Sequence, residues 1–367
     1  MSGATISPDS GTNPTHVVIM AINWNDVKSR SILDAFRVAL SDDRHLSHAE
    51  VVEVLRSAMN DGTLSEQEID DLQVIAKTSE TIPYRSKTML LYLRYAADLV
   101  YGYGPINVAT SRQKYAADLI FSFMKRMGQN YFPKLDRDEV GIDLLLRVSN
   151  PNILNQRTAG ICGPMAFLYS LAFDSPAVYA KYAIDLYEKG KAVLGHLTID
   201  PSSDCRQYAP PRPMSAADWL TGASLRDSEN FWYNYSSIGD DDSGTHLEEM
   251  AQWFEKAGYT DVHYENNTFY SLKLNNIDVV NRYYKAGYRI VLRINAKLLY
   301  PETQNEKSSK GNHVVILRSP ISISGNTISL KIYTWAEILR PIPAPNTQMS
   351  PSGFLEHWYG YVVARPY

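Results

Sequence analysis

Thiols are scarce in this 367-residue chain. With only Cys162 and Cys205, it cannot rely on a disulfide framework, and a reducing compartment suits it best. Long apolar runs are missing too: Val314 to Leu317 and the mixed segment Met89 to Val100 fall well short of the roughly twenty residues that cross a bilayer. The N-terminal stretch MSGATISPDSGTNPTHVVIM has no basic start, no extended apolar core and no small-residue cleavage site, so no cleavable export signal is expected. A formal charge of -4 offers no basic field to nucleic-acid phosphates or anionic lipid. Neither a Cys/His spacing for zinc nor a Gly-rich strand-to-helix turn for a nucleotide occurs. These absences argue against a disulfide-stapled module, a membrane span and a nucleic-acid partner, and no metal or other cofactor is expected.

What is present is a globular composition, 44% apolar and 21% charged. The length suggests two domains. Residues 1–15, rich in Ser, Gly, Thr and Pro, read as a flexible tail. Over 16–135 the apolar residues recur at helical spacing, as in Ile32, Ala35, Phe36, Ala39 and Leu40, which predicts a helical domain. Two stretches in it echo each other, at 41–55 and 60–75, each with a Ser-x-x-Glu capping box, Ser47 to Glu50 and Ser65 to Glu68. The second resembles the back half of an EF-hand loop, with Gly62 at the bend and Glu68 at the last ligand position. Its front half puts Ser57 and Met59 where carboxylates belong, so we expect degenerate, calcium-free helix pairs.

Between Gly128 and Asn150 the chain changes character, and MGQNYFPKLDRDEVG, at 127–141, reads as a connecting loop with a turn near Pro133. From 150 to 367 the pattern is mixed. Helices are expected after Cys162, at His246 to Ala257 and at Ile277 to Lys285, and strands at 288–296, 313–319 and 327–335, with a hairpin turn at Gly325-Asn326. A helix cluster followed by an antiparallel sheet is an α+β arrangement.

The most informative run is NQRTAGICGPMAFLYSLAF, at 155–173. Cys162 precedes an apolar helical segment, where unpaired amides and the macrodipole favour a thiolate, and Gly163 and Pro164 suit the first turn. Gln156, six residues earlier across the small pair Ala159-Gly160, can aim an amide beside the sulfur to stabilise an oxyanion. A glutamine separated by five intervening residues from a cysteine at a helix start is similar to the papain signature. The C-G-P sequence resembles the bacteriocin-processing branch of papain-like cysteine peptidases, whose order of elements the chain follows over roughly 150–340. Papain has Trp after the cysteine; this chain has Gly163.

Among eight histidines, His313 has the context of a base: it opens a strand behind a polar loop, 151 residues after the cysteine, in the order the family uses. The family's third member is an Asn or Asp followed by a shielding Trp. Here the sequence reads Tyr333-Thr334-Trp335-Ala336-Glu337, so the Trp is present and the acid or amide is not. Thr334 and Glu337 are the two candidates to orient the imidazole, Thr334 through Nδ1–H. Gly163 and Trp335 are expected to face substrate.

The resemblance implies a thiol-dependent hydrolase acting on a protein or peptide substrate. Left open beside it are a deamidase or transglutaminase on the same fold, and a catalytically degenerate binding protein. The expected location is the cytoplasm of the producing cell, or outside it as an effector toxin exported without a signal peptide, with a secretion-system or immunity-protein partner. The segment 218–246, dense in aromatics and carboxylates, reads either as a cleft wall for a basic peptide or as a packed insertion with an acidic loop at Asp240 to Asp242. Cys205, beside a Pro-rich loop, has no base near it.

Overall fold

The computed structural model describes residues 26–41, 45–78, 82–100, 102, 104–229, 245–267 and 272–367. The 1–15 tail and the acidic run Asp240 to Asp242 lie outside them.

The first helices are α1 (Arg30–Ala39) and α2 (His48–Ala58), followed by β1 (Thr63–Leu64), α3 (Glu66–Thr78), α4 (Tyr84–Leu99), β2 (Ile106–Asn107) and α5 (Ser111–Lys125). Both Ser-x-x-Glu capping boxes form: Ser47 Oγ accepts from the Glu50 amide at 3.3 Å, and Ser65 Oγ from the Glu68 amide at 3.3 Å. The helix-loop-helix that holds Gly62 is α2-β1-α3, so the helix of the 41–55 stretch is its first half and not a separate partner unit. Its β1 pairs antiparallel with β2, Leu64 opposite Ile106, so the second unit of the pair is α4-β2-α5. Thr110 and Gln113 form that unit's capping box.

The segment expected to be a connecting loop runs into a helix, α6 (Arg137–Ser149). Asp136 caps it, accepting from the amides of Asp138 and Glu139 at 2.8 and 3.1 Å. Every residue from Val140 to Val148 is buried. Acidic residues around Pro133 mark a helix start, because a carboxylate satisfies the orphan amides of a first turn. The helix packs on α4 and α5 and on later helices.

Those are α7 (Cys162–Asp174) and α8 (Pro176–Lys189), the hairpin β3 (Ala192–Leu194) and β4 (Leu197–Ile199), α9 (Ser203–Gln207), α10 (Ala216–Glu229) and α11 (Leu247–Lys256). One cluster of buried side chains runs from Val27 through all of them to one face of the sheet. The helices before and after residue 135 therefore share a core.

The sheet comprises β5 (Thr260–Asn266), then, after α12 (Leu274–Lys285), β6 (Arg289–Ile294), β7 (His313–Leu317), β8 (Ser322–Ser324), β9 (Thr327–Thr334), β10 (Glu337–Ile342) and, after α13 (Pro351–Leu355), β11 (Trp358–Arg365). Its order is β10-β9-β7-β6-β11-β5, with β8 on β9, and every described pairing is antiparallel. Gly325-Asn326 makes the two-residue turn between β8 and β9, with Gly325 at φ 59°. Both faces of the central strands are covered. In β7, Val314 and Ile316 join the cluster that includes α7, while Val315 and Leu317 join a second cluster that includes α12 and α13. The architecture is thus mixed, helices with an antiparallel sheet. Among the described residues no helix is long and apolar enough to cross a membrane.

Candidate active site

Cys162 is the first residue of α7, where helical amides have no acceptor within the helix. The bend that precedes it uses two left-handed residues, Arg157 at φ 51° and Gly160 at φ 62°. His313 is the first residue of β7, opposite Ile294 of β6. Cys162, His313, Gln156 and Trp335 all line one cleft of about 660 Å³, together with Arg157, Thr158, Tyr300 and Asn312. A smaller space touches the same four residues and Thr334. Gln156 is half-buried.

The imidazole is held on two sides. Its Nε2 lies 2.7 Å from Thr334 Oγ1, and the Trp335 ring lies over it at 4.5 Å between centroids and 30° between planes. Thr334 therefore meets Nε2 and not the expected Nδ1, which leaves Nδ1 without a hydrogen-bond partner among the described residues. A hydroxyl both donates and accepts, so it orients the ring without fixing the tautomer or supplying a charge. Glu337 does not orient the imidazole: its carboxylate accepts from Arg340 at 2.7 Å and is about half exposed. Thr334 and Glu337 are directly opposed across a two-residue turn, and that turn takes the carboxylate away from the histidine.

The turn is unusual. Trp335 and Ala336 are both left-handed, at φ 48° and 62°, where Asn or Gly is ordinarily found. Each such residue costs about 1–2 kcal/mol. Asn155 Nδ2 donates to the Trp335 carbonyl at 3.1 Å, and the Asn155 amide donates to Asp218 of α10 at 3.1 Å. Asp218 in turn receives two bonds from Arg147 of α6, both at 2.6 Å, and both residues are buried. Tyr333 closes a second tie, donating its hydroxyl to the Leu154 carbonyl and stacking on Tyr169 of α7 at 4.0 Å. Asn155, Asp218 and Arg147 thus position the site, and sequence reasoning missed all three. Asn155 adjoins Gln156, but nothing in the sequence links it to Asp218 or to Trp335.

Gly163 does not face the cleft. A Cβ there would stand 2.3 Å from Thr245 Oγ1 and 2.5 Å from Thr245 Cβ, so the glycine lets the segment before α11 close on α7. Arg226 of α10, also buried, reaches Thr245 Oγ1 at 3.4 Å. Residues 218–229 belong to the buried helix α10, with Trp219 in the core, and do not wall the cleft.

The electrostatics differ from the expected low-pKa thiol. Burial pushes the Cys162 thiol up, against the opposing pull of the Val314 and Gly163 amides and of Arg226. Burial, with the nearby Arg340 charge, pushes His313 down to about 4. Both shifts favour a neutral thiol beside a neutral imidazole over the ion pair. Cys205 is fully buried and its thiol is raised by burial, beside the Asp227 carboxylate. Among the described residues no group of three or more His, Cys, Asp or Glu side chains is placed to hold a metal. No protein-family model, curated protein or solved structure matches the chain.

Proposed function

We propose that this protein is a thiol-dependent hydrolase of peptide or amide bonds, a papain-like cysteine peptidase or amidase with Cys162 as nucleophile and His313 as base. One observation carries the reading: a helix-start cysteine and a strand-start histidine line a single cleft with Gln156, and the histidine's far nitrogen is already occupied by Thr334.

The neutral pair sets the order of events. His313 Nδ1 takes the Cys162 proton as the sulfur attacks the carbonyl carbon, so charge is created only when substrate is present. The carbonyl electrons move to oxygen, where the Gln156 amide and the Cys162 N–H donate to the oxyanion. Collapse expels the amine, which takes the proton from His313. Water then gives a proton to His313 and attacks the thioester, releasing the acid and restoring the thiol. Trp335 shields the imidazole, and Thr334 keeps its plane.

Iodoacetamide labelling with peptide mass mapping tests the pair. Cys162 should react and Cys205 should not, with a rate that climbs as pH rises toward the raised thiol value. In an assay over a peptide-amide library, Cys162→Ala and His313→Ala should abolish turnover. Gln156→Ala should lower it by about 10²–10³, since the backbone donor remains. Turnover that survives Cys162→Ala would sink the reading; an unreactive Cys162 with no turnover across the library would leave a binding protein on this scaffold.

A further inference from the structure

The charge of the cleft and the backbone of its loop point to a kind of substrate. Among the described residues lining the cleft, Arg157 alone carries a formal charge; the others are Asn155, Gln156, Thr158, Tyr300, Asn312 and their apolar or site neighbours. Its side chain is exposed and makes no ion pair or hydrogen bond to any described residue; of the carboxylates that share a neighbouring cavity with it, Asp143 and Asp218 are committed to Arg147, and Glu139 is the third. Among the described residues this guanidinium therefore forms no ion pair and is available to a ligand.

The loop spends conformational energy to present it. Arg157 is left-handed, a conformation that costs a non-glycine residue about 1–2 kcal/mol, and its amide is pinned at 2.8 Å by Asn155 Oδ1. Asn155 is itself tied to Asp218 and to the Trp335 carbonyl, so the root of the arginine is anchored on both halves of the site. A strained residue persists where its surroundings over-determine it, and such residues gather at ligand clamps. Arg157 follows the proposed oxyanion donor Gln156 directly and lines the same cleft as Cys162 and His313.

We propose that Arg157 selects a substrate with a carboxylate beside the bond to be cleaved, either an acidic side chain or a free C-terminus. This rests on the cysteine-hydrolase reading above. The guanidinium fork matches a carboxylate in two parallel hydrogen bonds, and Asn312 and Thr158 supply neutral donors to the rest of the chain.

Alkylation of the full-length protein tests it without a known substrate. The rate at Cys162 is measured with anionic iodoacetate and with neutral iodoacetamide, each divided by the rate of glutathione. Arg157→Gln should lower the iodoacetate rate about 10- to 100-fold, the size expected for one charged hydrogen-bond partner, and leave the iodoacetamide rate unchanged. Arg157→Glu should lower the iodoacetate rate further. Internally quenched peptides form the second arm. A preference for Glu over Gln that Arg157→Gln erases identifies an acidic side chain; a preference for a free over an amidated C-terminus, erased likewise, identifies the terminal carboxylate. Equal slowing of both reagents, or no peptide preference of either kind, overturns the proposal, because Arg157 would then act on the oxyanion or not at all. Failure of Cys162 to react with either reagent counts instead against the hydrolase reading.

Discussion

Cys162 opens a helix in which every residue from Gly163 to Ala172 is buried, in a core shared with α6, α8 and α10. His313, by contrast, opens a strand whose ring is fixed by a hydroxyl 21 residues away and by the tryptophan of a strained turn. The cysteine side is held by bulk burial, which is proportional to apolar area and tolerant of detail. The histidine side is held by a few directional contacts, which fail one at a time. The two meet at the Asn155–Trp335 and Tyr333–Leu154 bonds, so the reach of a perturbation on either side reports how strongly those ties couple them.

The largest effect should follow from breaking the cysteine side at its anchor. Asp218→Ala leaves the Arg147 guanidinium buried with only Asp143, at 3.8 Å, as a counter-charge. Loss of a buried partner costs about 3–5 kcal/mol, and urea denaturation should show it. If the Asn155 tie couples the two sides, the remaining folded protein should also lose the Trp335 cover on His313, seen as a change in the histidine's NMR titration.

Next comes pH. His313 has a folded value depressed to about 4 from 6.5, so the unfolded chain binds the proton more readily. Its neutral burial contributes in full above pH 6.5, and that contribution is lost as pH falls toward 4. The loss is worth roughly 3 kcal/mol. Denaturation midpoints measured between those limits should fall with acid in the wild type, and that part of the slope should vanish in His313→Ala. An unchanged slope would mean that the histidine is more open to water than its burial indicates.

The smallest effect sharpens the comparison from the other direction. Ala336→Gly relieves one left-handed residue of the turn and should raise stability by up to about 1 kcal/mol, offset in part by the greater freedom of glycine in the unfolded chain. Thermal melts read the gain. If the strain serves to press Trp335 on His313, turnover should fall even as the melting temperature rises.

Much of the cysteine side was legible because its signals are local. An apolar run after Cys162, a small-residue bend and a glutamine six residues upstream lie in one nineteen-residue window, and the helix starts where that window implies. The strand that begins at His313 was legible for the same reason, since β-branched residues between polar loops define it. Two signals were misread. The loop expected around Pro133 extends only to Asp136, whose side chain caps α6, the helix that fills the shared core. Gly163 looked like a cleft residue and instead accommodates Thr245, 82 positions later.

The sequence by itself determined where the proposed nucleophile, the proposed base and the tryptophan beside it sit along the chain, because helix starts, strand starts and short motifs are set by neighbours a few residues apart. Only the tertiary structure decided which imidazole nitrogen meets Thr334, that Glu337 turns away to Arg340, and that burial pushes the thiol up and the imidazole down. Those depend on the handedness of a two-residue turn and on water excluded by segments distant in the chain, and no local pattern of residues encodes either.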